Sequence, residues 1–136
     1  VSVSALGGSV ELADALSTSG GSVEVTGETD VVVAATGSVA GANGVSLTVT
    51  TGGLTQASGS LIDGGTGDVM LSAGTDAKLG RVTTAGAVSV SALAGSVELA
   101  DALSTSDGSV EVTAEADIVV AATGSVAGAN GVSLTA

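Results

Sequence analysis

Apolar and polar residues alternate along this chain in short bursts built on one signature, Gly-x-Val-x-(Val/Leu), whose first valine falls at Val1, Val23, Val45, Val69, Val88, Val110 and Val132. The steps between these valines are 22, 22, 24, 19, 22 and 22 residues. That period lies in the range where stacked coils are the first architecture to consider. Strict alternation predicts a half-buried strand at each burst. Its inward columns read Val1, Val23, Val45, Val69, Val88, Val110, Val132, then Val3, Val25, Leu47, Leu71, Val90, Val112, Leu134, then Ala5, Gly27, Val49, Ala73, Ala92, Ala114, Ala136. The residues between them, Ser2, Glu24, Ser46, Met70, Ser89, Glu111 and Ser133, and Ser4, Thr26, Thr48, Ser72, Ser91, Thr113 and Thr135, must face the other way.

Two weaker strands complete each coil. The second carries Val10/Leu12, Val31/Val33, Leu54, Ala77/Leu79, Val97/Leu99 and Ile118/Val120, and the third carries Leu16, Val39, Leu61, Val82, Leu103 and Val126. A glycine stands one or two residues before each new leading valine, at Gly21, Gly44, Gly67, Gly86, Gly108 and Gly131, as a corner needing positive φ would require. A competing local reading makes Glu11 to Leu16 a helical turn, because Leu12 and Leu16 are spaced i, i+4. Six residues are too few for an isolated helix.

A longer period overlies the short one. Residues 88 to 136 match residues 1 to 49 at 43 of 49 positions, differing only at Gly7/Ala94, Gly20/Asp107, Gly27/Ala114, Thr29/Ala116, Val31/Ile118 and Val49/Ala136. Four coils therefore make one repeat of 87 residues, and the chain reads as one continuous solenoid segment. Residues 1–87 form a full repeat and 88–136 a partial second one, as a stretch of a longer array would. Coils pairing in parallel, about 4.8 Å apart, give a rod roughly 30 Å long for six rungs. In-register stacking then puts Lys78 one rung before Glu98 on the outer face and keeps Glu24 four rungs from Glu111. The 24-residue step contains Ser60 to Thr66, so its surplus is expected to be extruded there, at a turn.

Composition fits a narrow, uniform interior. The chain has no Phe, Tyr, Trp, His, Cys or Pro, it holds 22 glycines, and its apolar content is almost all Val, Ala and Leu. Small β-branched and aliphatic residues can fill layers that present the same few shapes to one another. Disorder is the rival for a chain rich in Gly, Ser and Thr, but disorder goes with low hydrophobicity, and here 44% of residues are hydrophobic. Fourteen acids against Lys78 and Arg81 give a net charge of -12. That balance disfavours nucleic acid and anionic membranes and favours cations. The longest apolar run, Val31 to Ala35, falls far short of the roughly 20 residues of a spanning helix.

Catalytic chemistry has little to draw on. A nucleophile relay needs a base, and the chain has no His, no Cys and a single Lys. Paired carboxylates could act as in glycosidases, but sugar platforms of aromatic residues are missing. Calcium is the sharper candidate ligand. Gly64-Gly65-Thr66-Gly67-Asp68 approaches the Gly-Gly-x-Gly-x-Asp turn of calcium-binding β-rolls, which would make Asp63 and Asp68 the candidate ligands. The motif occurs once rather than in tandem, whereas calcium there needs oxygens from two consecutive turns. The hydroxyl column invites an ice-binding reading, but its neighbour holds Glu and Met, as an ordinary solvated strand face does.

Gly-Asp-Val-Met-Leu-Ser-Ala-Gly-Thr-Asp-Ala-Lys-Leu-Gly at 67–80, and its variant Gly-Ala-Val-Ser-Val-Ser-Ala-Leu-Ala-Gly-Ser-Val-Glu-Leu at 86–99, resemble the repeats of filamentous-haemagglutinin-type adhesins. The resemblance covers the whole chain at the level of composition and spacing. It implies a right-handed parallel β-helix, secreted across a Gram-negative outer membrane and held at the cell surface as a long fibre whose shaft is a spacer. No functional residue carries over from it. Family repeats are usually degenerate and contain aromatics, so a nearly exact, aromatic-free repeat points to a giant fibre or sheath component.

The sequence thus predicts a non-catalytic, extracellular β-solenoid shaft. Its partner is itself, through end-to-end continuation and lateral bundling, with no nucleic acid, no membrane span and no cofactor. A calcium-holding acidic module, or an inert stretch of a β-helical carbohydrate-active enzyme, is the alternative.

Overall fold

A computed structural model describes all residues, Val1–Ala136. It contains 19 short strands and no helix. Each coil contributes one strand to each of three sheets, and every strand pairing is parallel. The first face stacks Ser2–Ala5, Val23–Gly27, Val45–Val49, Val69–Ala73, Val88–Ala92, Val110–Ala114 and Val132–Thr135. The second face stacks Val10–Leu12, Val31–Val33, Leu54–Gln56, Ala77–Leu79, Val97–Leu99 and Ile118–Val120. The third stacks Ala15–Thr18, Ser38–Gly41, Leu61–Asp63, Arg81–Thr84, Ala102–Thr105 and Ser125–Gly128. We number the rungs one to six from the coil that opens at Val1. The molecule is a three-sided parallel β-solenoid.

The register follows the valine columns. Val23 pairs with Val45, Val45 with Val69, Val69 with Val88, Val88 with Val110 and Val110 with Val132. The five inner members are buried, whereas Val1 and Val132 are 54% and 44% exposed because no rung covers their outer side. The same end effect leaves Leu134 in the open while Leu47, Leu71, Val90 and Val112 are buried. One core of 26 buried side chains runs through the rod. Backbone pairing carries on around the corners as well as along the strands. Thr51 N donates to Glu28 O at 2.9 Å, Thr75 N to Gly52 O at 2.9 Å and Val69 N to Ala87 O at 2.9 Å. Stacked turns therefore satisfy one another, as buried backbone groups must be satisfied.

Two local expectations are corrected. The stretch from Glu11 to Leu16 is not helical: Leu12 ends one strand, Asp14 takes the corner and Leu16 lies in the next strand. Pairing of Leu12 with Val33 and of Leu16 with Val39 supplies hydrogen bonds that a single helical turn could not. On the third face the inward residue of rung three is Ile62, not Leu61. Ile62 pairs with Val39 on one side and Val82 on the other and is fully buried, while Leu61 pairs with Arg81 in the half-exposed column. A one-residue slip exchanges the two faces of a strand, and adjacent Leu and Ile leave the phase undetermined by hydrophobicity alone.

The surplus of rung three lies in turns rather than strands, but in two of them. Val23 and Val45 are 22 positions apart, Val31 and Leu54 are 23 apart, Val39 and Ile62 are 23 apart, and Val45 and Val69 are 24 apart. One residue thus enters in the turn Thr50–Gly53 and the other in the corner Gly64–Asp68. Rung four is correspondingly shortened between the second and third faces, where only Gly80 separates Ala77–Leu79 from Arg81–Thr84. A finer alternation underlies both: the spans Val1 to Val10, Val45 to Leu54 and Val88 to Val97 are nine positions, and Val23 to Val31, Val69 to Ala77 and Val110 to Ile118 are eight. Odd and even rungs have different first corners.

The corrected phase of the third face has a direct test. Ile62→Ala should cost about 2–5 kcal/mol, the usual range for truncating a fully buried aliphatic side chain. Leu61→Ala should cost under about 1 kcal/mol, as a half-exposed site does. Urea unfolding of the two variants compares them, and equal losses would reinstate Leu61 as the core residue.

Candidate functional site

Polar chemistry concentrates at the corner joining the third face to the first. Its glycines answer two different demands. Gly44 and Gly131 have φ of 125° and 127°, the conformation expected of the corner glycines. Gly21, Gly67, Gly86 and Gly108 do not have positive φ, which corrects that expectation. At Gly67, Gly86 and Gly108 the constraint is space: a Cβ there would run into the backbone of Asn43, Gly67 and Gly86 respectively, in the rung before. Gly21 has no such neighbour, its nearest contact being Thr18 Oγ1 at 3.6 Å. The remaining positive φ values fall at Gly59 and Gly65.

Buried threonines fasten this corner from inside. Thr84 and Thr105 lie in the third-face strands with their hydroxyls turned under the turn. Thr84 Oγ1 donates to Gly67 O, and Gly86 N donates back to Thr84 Oγ1 at 3.3 Å. Thr105 repeats the arrangement one rung on, with Gly86 O as acceptor and Gly108 N as donor at 2.9 Å. A Cβ at Gly64 would collide with Thr84 Oγ1 at 2.6 Å, so glycine at 64 makes room for the hydroxyl.

The two candidate calcium ligands are employed within these turns. Asp63 Oδ1 accepts from Gly65 N at 2.8 Å, and Asp68 Oδ1 accepts from Ala87 N of the following rung at 2.8 Å. They line separate open depressions. Asp68 shares one with Glu24, Asn43, Ser46 and Met70, while Asp63 shares the other with Thr83, Thr84, Ser104, Thr105 and Ser106. No group of three or more acidic side chains gathers closely enough to hold a metal ion. The geometry makes Asp63 and Asp68 turn caps, and it does not bring them into one ligand set.

Aspartates do similar work at the first corner. Asp30 Oδ1 accepts from Gly53 N at 3.0 Å and Asp76 Oδ1 from Ser96 N at 2.8 Å. In both cases an even rung caps the longer corner of the odd rung after it. The signal is present in the chain, since Asp30, Asp76 and Asp117 each immediately precede a second-face strand. On the outer second face Lys78 Nζ lies 3.7 Å from Glu98 Oε1, with both side chains about half exposed (56% and 45%). Such a pair contributes about 0–1 kcal/mol and chiefly favours the register.

Gln56 is a polar residue that takes an inward position which the hydrophobic columns leave unassigned. It occupies the column of Val33, Leu79 and Leu99 and is 1% exposed. Its Nε2 donates to Arg81 O at 2.7 Å and to Ser60 O at 3.3 Å, while Oε1 is buried with no partner. The reason lies in the short rung four. Only Gly80 turns that corner, and a Cβ at Gly80 would sit 3.4 Å from the Gln56 amide. Arg81 O, exposed to the interior by the tight corner, takes its donor from Gln56.

Comparison of the chain with protein-family models, with curated proteins and with solved structures finds no match. No helix is long and apolar enough to cross a membrane.

Two substitution series test these assignments. Gly67→Ala should destabilise by about 1–3 kcal/mol, as overpacking does, and Gly21→Ala should be near neutral. Equal tolerance in thermal unfolding would refute the close-approach account. Gln56→Glu replaces the amide donor by an oxygen aimed at two carbonyls, so a buried carboxylate there should have a raised folded-state pKa. Its neutral form keeps an O–H that can serve Arg81 O. Relative to wild type at each pH, this variant should hold its stability below the ordinary glutamate pKa of about 4.3 and lose it as pH rises through the raised value. A pH-independent difference would show the side chain to be solvated.

Proposed function

We propose that this chain is a stretch of structural shaft: a non-catalytic spacer in an extracellular filament, sheath or adhesin stalk of the filamentous-haemagglutinin type, at a bacterial cell surface. The observation that carries the reading is the unbroken stacking. Core columns, corner glycines and capping carboxylates all serve contacts from each rung to the next. Asp30, Asp68 and Asp76 each place a carboxylate oxygen on a backbone N–H of the following rung. A rod of this kind grows in length by adding repeats without altering its cross-section, because each repeat contacts only its neighbours. Near identity of residues 1–49 with 88–136 suits a role in which every segment does the same mechanical work.

The shaft reading is tested on native material. Antibodies raised to the folded chain should decorate thin filaments outside the cell in immuno-electron microscopy, with label spaced along their length. Label confined to the cell interior, or to compact particles without filaments, would overturn the proposal.

A further inference from the structure

The rod carries one unpaired cation per repeat. Lys78 has Glu98 beside it, but Arg81 is exposed, with no carboxylate within ion-pair distance of its guanidinium. It stands at the edge between the second and third faces, where the short corner of rung four brings the third-face strand to begin directly after Gly80. In a chain of net charge -12, this uncompensated guanidinium is the one strongly attractive feature for an acidic partner.

A complementary feature of the same 87-residue unit lies on another edge. The open depression between the third and first faces is lined by Glu24 and Asp68, with Met70 and Asn43 beside them. Asp68 uses Oδ1 on Ala87 N, which leaves its other oxygen free, and Met70 is 59% exposed. Two carboxylates beside a flat thioether suit a guanidinium with its aliphatic stem, which packs its methylenes while its planar fork meets the acids. Within one chain Arg81 and this depression lie on different edges, so a chain does not satisfy its own arginine.

We propose that Arg81 of one shaft docks in the Glu24–Asp68 depression of a second copy lying parallel beside it. The depression centres on rung three and Arg81 belongs to rung four, so a stagger of about one rung, near 5 Å, aligns them. In a shaft that continues this 87-residue unit, both features would recur once in four rungs, and that single stagger would align every such pair along two long shafts. The contact is heterologous, one edge meeting a different edge, so it can continue from shaft to shaft instead of closing into a two-fold dimer. Each pair is weak when solvated, and repetition along the shaft gives the layer its strength. This inference rests on the shaft reading and specifies how its copies associate.

The test uses Arg81→Lys chains, half of them ¹⁵N-labelled, treated with a carbodiimide that joins amines to carboxylates without a spacer. Mixed-label products joining position 81 to Glu24 or Asp68 are expected. They should disappear in the presence of high salt, and also when the acceptor chain carries Glu24→Gln with Asp68→Asn. Asn at 68 keeps the oxygen that caps Ala87, so the fold is undisturbed. The Lys78–Glu98 link within each chain is the internal control for reactivity. Absence of mixed-label products from position 81 while that control forms, or equal yield to other acids in the double variant, overturns the docking. Either result leaves the shaft reading standing, since filament location is measured independently.

Discussion

Every rung of this molecule is held by backbone pairing to a neighbour of almost the same shape, and that in-register stacking constrains everything else. In a parallel ladder each side chain lies over its counterpart in the rung below at about 4.8 Å, so a residue is chosen for its column before it is chosen for its coil. Valine, alanine and leucine satisfy this condition in the interior because they repeat without leaving gaps. Aromatic rings would need every rung to accommodate them. The absence of Phe, Tyr and Trp is therefore the mark of a core whose layers are meant to be interchangeable.

Stacking penalises identical charges as it rewards identical apolar shapes, and the alternation of rungs answers that conflict. Asp30 and Asp76 stand at even rungs and take the N–H groups of Gly53 and Ser96 at odd rungs. A glycine-rich corner always separates one such carboxylate from the next along the edge. Had all rungs been alike, the aspartates would have stacked directly, with each repelling its neighbour and none reaching a free donor. The minimal structural unit is thus a pair of rungs, and the 87-residue repeat contains two such pairs with different second corners.

The columns of the first face were legible because period-two alternation there is strict and each strand is announced by a glycine. Legibility failed where a residue's role depends on another rung. Nothing in Ser60-Leu61-Ile62-Asp63 says which of Leu61 and Ile62 faces inward until Arg81–Thr84 is laid against it. Gln56 is in phase with the inward Leu54, but what its amide meets inside is not defined until rung four is seen to turn its corner on Gly80 alone. Gly67, Gly86 and Gly108 look like residues chosen for φ, yet they are chosen because the preceding rung's backbone passes where a Cβ would be. Asp63 and Asp68 carried a calcium-like motif, but the motif describes a tight turn whose N–H groups need acceptors, and here the protein's own donors use them. Sequence patterns report local conformation well, and they report poorly on contacts that exist only between successive turns of a coil.

The charge of the rod bears differently on its length and on its breadth. Continuation along the axis is a matter of backbone pairing at a strand edge, which is indifferent to side-chain charge. Sideways contact sets acidic faces against one another, and the repulsion extends about 10 Å at moderate ionic strength. Rods carrying -12 over 136 residues repel one another side by side unless a cationic feature offsets the general repulsion. With Lys78 engaged by Glu98, Arg81 is the side chain left to supply it. A single attractive point per repeat in a repulsive background selects one stagger and rejects the others, because each wrong stagger keeps the repulsion and forfeits the attraction. On the proposed docking, sparse positive charge would make lateral order a consequence of the same period that builds the rod.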